Sequence, residues 1–460
     1  MLPRIVAEAA RRFGNRAAFR LPSGAPLSYR ALDRASDEVA AGLAARGLGE
    51  GDVLLLSLPS GPEYAVAYLA AAKVGAVTAG ANPRLRARER GLVADAVGPT
   101  LVLATEALTV GIPGDVVVEV VAPTDDPERL LGPLRNVDHD VLDLVEDAGR
   151  PVCICFTSGS TGDPRGAWFT NRQLVAIAGM DSGGAWGSGG HLVAGTAFAH
   201  VGVMTKLPWQ FASGATSHVM DRWDAGRLLD LVERHRLPAV NGVAAQIALL
   251  LRHPGFDDHD LSSVRAIVVG GGPSTPSLVD EARRRFDAPY SIRYSSTESG
   301  GIGLGTSLDA DDDEALHTVG RPRPGVEAEV RNDDGSPVEA GEVGELWLRT
   351  PSAMSGYWGD PVGTEATLVD GWLRTGDLAH VDRAGCHHLA GRVSEMFIRG
   401  GYNVYPLEVE AVLGTHPDIE QVAVVPRPDE VRGEMGVAVV VPADPDHPPT
   451  LDDLVAHGRP

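Results

Sequence analysis

Apolar runs alternate with helix-period segments almost from the start of the chain. VLLLSL (Val53 to Leu58) and TLVLA (Thr100 to Ala104) are unbroken apolar stretches of strand length, the pattern of strands buried on both faces. Between them, residues 61–75 (GPEYAVAYLAAAKVG) are alanine-rich with apolar side chains at helical spacing and predict a helix. PAVNGV (Pro238 to Val243) and RAIVVGGG (Arg265 to Gly272) continue the theme. Strands alternating with helices over this length predict an α/β fold whose layered sheets are covered on their faces. From about Arg323 the texture changes. GVEAEVR, GELWLR and CHHLAG alternate between Asp, Gly and Pro turns, as in an antiparallel, barrel-like sheet. After Gly391-Arg392 come the Gly-rich IRGGYNVYP, a helix with Pro406 in its first turn (PLEVEAVLG), and the short strands QVAVV and GVAVVV. This end reads as a small α+β domain, with the break near Ser394 giving domains of residues 1–393 and 394–460. TLDDLVAHGRP opens like a helix, with Thr450 as N-cap and Asp453 three residues on, so the small domain reads as incomplete.

Length and charge sharpen this picture. A chain of 460 residues is too long for one ordinary core, and 43% hydrophobic with 22% charged residues are the proportions of a soluble globular protein. No apolar stretch is long enough to cross a bilayer, and Met1-Leu2-Pro3-Arg4 lacks the apolar core of a secretory signal. Two of the three cysteines, Cys153 and Cys155, share one strand face in PVCIC and read as small buried hydrophobes, which suits a reducing cytoplasm. A net charge of −22 repels polyanions, so nucleic acid is disfavoured as a partner. An anionic nucleotide would need a local cluster of donors and a metal. The acidic run Asp309 to Glu314 is expected to be a solvated loop.

Such a donor cluster stands in ICFTSGSTGDPRGAWFTNRQL, residues 154–174. A buried strand runs into Thr157-Ser158-Gly159-Ser160-Thr161-Gly162, followed by Asp163-Pro164-Arg165-Gly166. Glycines let the backbone approach a ligand and turn its N–H groups inward, and the hydroxyls add short donors. Arg165 supplies a fixed positive charge. A flexible linker would not follow an apolar strand so closely. A P-loop would need Gly-Lys before Ser or Thr, and GGIGLG (300–305) fails the GxGxxG spacing of a dinucleotide fold.

FTSGSTGDPRG resembles the signature of the adenylate-forming superfamily, which includes acyl-CoA synthetases, aryl-CoA ligases, adenylation domains and firefly luciferase. Arg165 replaces the usual lysine. Further segments resemble the family in the same order. AFAHVGVM places His200 where a His or aromatic side chain borders the acyl pocket, and VVGGGPSTP places Gly270, Gly271 and Gly272 where a slot is left for a flat ring. RYSSTESG is similar to the Y-G-x-T-E motif, with Ser295 in place of glycine. The resemblance implies that Thr157 and Arg165 act on the phosphates, with Ser158, Gly159, Ser160, Thr161 and Gly162 wrapping them. It implies that Tyr294 stacks on adenine beside Ser295 and Ser296, that Thr297 reaches a phosphate oxygen, and that Glu298 holds Mg²⁺. A carboxylate is a poor neighbour for triphosphate unless a hard cation lies between them, which agrees with that role. By the same resemblance Asp377 accepts both ribose hydroxyls, Arg392 contacts ribose and phosphate, and Ser394 is the hinge. Gly400, Gly401 and Asn403 would line a pantetheine tunnel.

The implied reaction is an acyl-CoA synthetase's. A carboxylate attacks the α-phosphorus of MgATP to give acyl-AMP and pyrophosphate, and coenzyme A then takes the acyl group after the small domain rotates. The family's C-terminal lysine has no counterpart, since no lysine follows Ser394, so slow adenylation by this chain is expected. Two alternatives compete: an acyl-AMP ligase loading a carrier protein, and a non-catalytic nucleotide or acyl-adenylate binder. Uncharged residues around His200 and Gly270 favour an apolar acyl or aryl acid over an amino acid. A homodimer is compatible with the sequence, which does not fix an oligomeric state.

Overall fold

The computed structural model describes residues 1–138, 144–157, 164–220, 222–399, 402–429 and 431–458. It divides into two compact units. The first comprises Met1–His317, Pro322–Glu327 and Arg349–Leu373, and the second Thr318–Arg321, Ala328–Leu348 and Arg374–Pro460. The expected boundary at Ser394 therefore falls inside the second unit.

In the first unit a seven-stranded sheet has the spatial order Gly356–Tyr357, Arg165–Thr170, Pro151–Thr157, Val77–Gly80, Val53–Ser57, Leu101–Ala104 and Val118–Val120. The strands from Pro151–Thr157 onward run parallel, while Arg165–Thr170 and Gly356–Tyr357 join antiparallel. The run VLLLS is buried at every position because both faces of its strand are covered. The Pro62–Val74 helix that follows is buried at every position but Glu63, so it carries no amphipathic stripe. Lys73 is buried with it and finds Asp33 at 2.7 Å, as a buried ammonium must. Cys153 and Cys155 are both fully buried, as their shared strand face requires.

Two further sheets complete this unit. One places Ala239–Gly242, Ala266–Gly270 and Tyr290–Tyr294 side by side in parallel and adds Leu304–Gly305 antiparallel. The other has the order Pro26–Ser28, Ala17–Arg20, Thr216–Val219 and His191–Ala194. The acidic run is in part the solvated loop expected of it, with Asp309 to Asp311 outside any helix or strand and Asp309 and Asp311 exposed, but its second half is helical. Asp312–His317 is a short helix with Asp312, Asp313 and Glu314 in its first turn, where carboxylates complement the helix dipole. Glu314 is buried and accepts the Ser307 N–H at 2.7 Å.

The second unit is built on antiparallel strands, as their alternation predicts. Glu327–Arg331, Gly344–Arg349, Trp372–Val381 and His387–Arg392 are neighbours in one sheet. Tyr402–Val404, Phe397–Arg399, Gly433–Pro442 and Ile419–Asp429 form another. Helix Pro406–Leu413 has its proline in the first turn, and helix Leu451–His457 is capped by Thr450 and Asp453 in a reciprocal capping box. Among the described residues no helix is long and apolar enough to cross a membrane.

Candidate active site

Strand Pro151–Thr157 leads into the Gly- and Ser-rich loop and Arg165–Thr170 leads out of it. The two pair antiparallel with Thr157 opposite Arg165. Ser158, Gly159, Ser160, Thr161 and Gly162 lie outside the described residues. The base of the loop is nonetheless held by the sheet's hydrogen bonds. There the Arg165 guanidinium lies over the Tyr357 ring, 5.1 Å from its centroid. Tyr357 belongs to the neighbouring edge strand, opposite Ala167, and its phenol donates to Glu298 Oε1 at 2.8 Å. Burial first, and the Glu298 charge second, hold the phenol far above its ordinary pKa, so it stays a donor. A cation, a phenol and a carboxylate thus stand in series, joining the loop base to a residue more than a hundred positions downstream.

Glu298 sits on a turn that its own neighbours tie down. Ser296 and Ser299 exchange side-chain and backbone bonds at 3.0 and 3.1 Å, and Gly300 N–H reaches Thr297 O at 3.0 Å. Gly300 has φ +69°, and a Cβ there would meet Ser352 O at 2.3 Å, so no other residue fits. Met354 N–H donates to the Glu298 carbonyl at 2.7 Å, fixing the turn against the segment that carries Tyr357. Behind the turn, partly buried Lys206 pairs with Asp181 at 2.6 Å, and Arg323 reaches the other Asp181 oxygen at 3.2 Å. Burial lowers the Lys206 pKa against the pull of Asp181. The Lys206 stem lies 3.7 Å from where a Cβ on Gly301 would be, so this ion cluster buttresses the turn.

Tyr294, Ser295, Ser296, Thr297 and Glu298 are consecutive, so the end of strand Tyr290–Tyr294 carries the whole motif. The parallel neighbour Ala266–Gly270 ends beside it, with Gly270 opposite Arg293. A Cβ on Gly270 would approach Arg293 O to 2.7 Å, which explains the glycine by strand packing. Gly271 and Gly272 follow, exposed. Both strands present their C-terminal ends here, the edge at which open α/β sheets take ligands.

His200 precedes the short helix Val201–Met204. Its Nε2 is 3.0 Å from Asn82 Nδ2, and Asn82 Oδ1 accepts the Arg84 N–H at 3.0 Å. The amide is therefore oriented to donate to the ring, and the imidazole proton belongs on Nδ1. Partial desolvation, then the Arg84 charge, lower the His200 pKa although the side chain still reaches solvent, so the ring is neutral at neutral pH. The tyrosines Tyr64 and Tyr68 hold the helix from below through Met204. A cavity of about 380 Å³ elsewhere in this unit, bounded by Leu58 to Glu63 and Thr105, includes none of these residues.

In the second unit Asp377 and Arg392 face each other across paired strands, and Arg392 Nε meets Asp377 Oδ1 at 2.9 Å. The Asp377 side chain is mostly covered and Arg392 is half exposed. Thr375 Oγ1 takes the Asp377 N–H at 3.1 Å. Ser394 lies in the turn between the two sheets of this unit, and Asn403 pairs with Ile398. Gly400 and Gly401 lie outside the described residues.

Tyr357, Asn82 and the Lys206–Asp181–Arg323 cluster escape a reading of the sequence. Tyr357 lies on a two-residue strand that has no period, and Asn82 acts through contacts distant in the chain. Lys206 did carry a signal. It is one of only two lysines in the protein, in a chain that otherwise uses arginine.

Residues 6–358 match the AMP-binding enzyme family, and residues 408–459 match the AMP-binding enzyme C-terminal domain. The chain is 33% identical over 430 residues to the indoleacetate–CoA ligase of Aromatoleum aromaticum, covering 91% of this chain and 84% of that protein. It is 31% identical over 450 residues to a fatty acid–[acyl-carrier-protein] ligase of Streptomyces coeruleorubidus, covering 94% and 85%. Its fold is similar to that of o-succinylbenzoate CoA synthetase from Bacillus subtilis, solved with its acyl-adenylate intermediate. That likeness has a TM-score of 0.86 at 24% identity, covering 98% of this chain and 90% of the other.

Proposed function

The chain belongs to the AMP-binding enzyme family, and we propose that it activates a carboxylic acid with MgATP and passes the acyl group to the thiol of coenzyme A. In the first half-reaction a carboxylate oxygen bonds to the α-phosphorus and the bond to the β-phosphate oxygen breaks, releasing pyrophosphate. In the second the thiol sulfur, losing its proton, bonds to the acyl carbon while the acyl–phosphate oxygen bond breaks and AMP leaves. The observation that carries this reading is the Arg165–Tyr357–Glu298 series. It brings the charged end of the loop and the motif carboxylate to one place, within one compact unit.

Each residue's role follows from its chemistry. Thr157 and Arg165, with Ser158 to Gly162, are the donors for the β- and γ-phosphate oxygens. Glu298 suits Mg²⁺: the phenol occupies one of its roughly four acceptor positions, and oxygen is what that cation takes. The ion, when bound, would neutralise charge between the carboxylate and the phosphates. Thr297 reaches a phosphate oxygen from the adjacent position on the turn. Tyr294 with Ser295, Ser296, Gly271 and Gly272 forms a surface for adenine. Neutral His200, set beside Val201 and Val203, borders an apolar acyl group without offering it a charge. Asp377, a carboxylate on the strand paired with that of Arg392, suits a vicinal diol, and Arg392 offers N–H groups. The turn at Ser394 serves as the swivel, and Gly400, Gly401 and Asn403 guide the thiol.

A carrier-protein acceptor is the second reading, favoured by the likeness to the acyl-carrier-protein ligase. Pyrophosphate release should be measured over a panel of aliphatic and aryl acids, with coenzyme A or a phosphopantetheinylated carrier protein as acceptor. Acid-dependent release with thioester formed on coenzyme A is the expected result. Thioester formed only on the carrier would select the second reading. ATP binding with no release for any acid would overturn both.

A further inference from the structure

Three histidines meet in the first unit at residues the adenylation reading does not use. Strand His191–Ala194 runs parallel to Thr216–Val219, with Thr216 opposite His191 and Val193 opposite His218. The two histidines are therefore two positions apart in register and stand on the same sheet face. His235, the last residue of helix Ala225–His235, comes down on that face. Its ring stacks on His191 with centroids 4.1 Å apart and tilts against His218 at 4.4 Å. His191 Nδ1 and His218 Nε2 are 2.9 Å apart, and one nitrogen from each of the three rings lies within 4.8 Å of the others.

We propose that His191, His218 and His235 form a binding site for a divalent transition cation of the zinc class. Ligand nitrogens at about 2.0–2.1 Å from a tetrahedral ion are about 3.3 Å from one another. The His191–His218 pair is already near that spacing, while the His235 nitrogen, on a ring stacked against His191, must close by up to about 1.5 Å and turn its lone pair toward the same point. Imidazole selects zinc, cobalt, nickel or copper over magnesium and calcium, which want oxygen. A cavity of about 50 Å³, bounded by His191, Leu228, Leu237, Pro238 and Asn241, meets the cluster at His191 and gives a fourth ligand a place on that side. That volume is ample for a metal-bound water.

The surrounding charges shape the site further. Arg20 lies opposite His218 in the neighbouring strand, and Arg227 and Arg234 stand close by on the helix. They set positive charge beside the three rings. The same arginines would oppose a bare dication, so an anionic fourth ligand such as hydroxide, chloride or a small carboxylate suits the open position. Once filled, the site would tie the end of helix Ala225–His235 to the sheet below.

The test uses the full chain, freed of metal by chelator, titrated with Co²⁺ and followed by visible absorption and calorimetry. One equivalent should bind with the intense visible bands of a four-coordinate centre. Zn²⁺ should displace it, and excess Mg²⁺ should not. His235→Gln, at the accessible helix end, should weaken binding at least tenfold while leaving the circular dichroism and pyrophosphate release unchanged. His191→Gln should do the same to the metal. His447→Gln, at an exposed histidine outside the cluster, should bind like the unaltered chain. Absence of the four-coordinate spectrum, or binding that both cluster variants leave intact, would overturn the proposal and reduce the cluster to a stack of neutral rings.

Discussion

Two carboxylates among the expected site residues, Asp377 and Glu298, each have an arginine nearby, and they meet it differently. Asp377 meets Arg392 directly at 2.9 Å. Glu298 is linked to Arg165 only through the Tyr357 phenol, which donates to the carboxylate and carries the guanidinium on its ring. A direct pair neutralises its carboxylate and leaves it a fixed acceptor for neutral donors such as hydroxyls. A phenol orients a carboxylate without cancelling its charge. Only the second arrangement leaves a carboxylate its full negative charge near a guanidinium, which is what the proposed cation and phosphate roles would require.

The comparison breaks most readily at Glu298. Glu298→Gln keeps the shape and the bond from Tyr357 but removes the charge. It should slow pyrophosphate release by on the order of 10²–10³-fold with thermal stability unchanged. A loss under threefold would show that the charge has no part in the reaction. Asp377→Asn should lower kcat/KM for ATP by about 10–100-fold, the worth of roughly 1.5–3 kcal/mol in hydrogen bonds to a charged group. ATP lacking the ribose hydroxyls should erase the difference between Asp377→Asn and the unaltered chain, and a persistent gap would count against the diol role.

Tyr357→Phe sharpens the comparison instead of abolishing one side of it. It removes one hydrogen bond to a charged acceptor, so the Mg²⁺ concentration for half-maximal pyrophosphate release should rise about tenfold. An unchanged Mg²⁺ titration would mean that the phenol merely fills space. The smallest effect concerns His200, whose folded pKa is depressed by desolvation and Arg84. The unfolded chain takes up this proton near about pH 6.5 and the folded chain only at lower pH, so acid lowers stability through that window. Between pH 7.5 and 5.5, His200→Phe should therefore lose less melting temperature than the unaltered chain. An equal loss would remove His200 from the acid sensitivity.

Much of this arrangement could be read from residue order. The buried strands, the alanine-rich Pro62–Val74 helix, the glycines after Ala266–Gly270 and Glu298 itself all announce themselves by pattern or by resemblance. What stayed hidden depends on contacts between distant segments. Tyr357 matters because Arg165 and Glu298 lie on either side of it, and nothing local marks it. The three histidines are separated by 27 residues in one case and lie on different elements, so only folding brings them together. The acidic run is legible as solvated at Asp309 to Asp311, but charge density alone does not show that the helix dipole welcomes the carboxylates that open Asp312–His317.

The central claim is that Glu298 presents its charge to a cation bound with the nucleotide. Water-proton relaxation of Mn²⁺ with ATP, titrated into the full chain, reports that contact directly. The account predicts enhanced relaxation in the ternary complex, lost in Glu298→Gln and restored at higher Mn²⁺ in Tyr357→Phe, with metal-free ATP binding equal in all three. Identical enhancement and affinity in Glu298→Gln would contradict it.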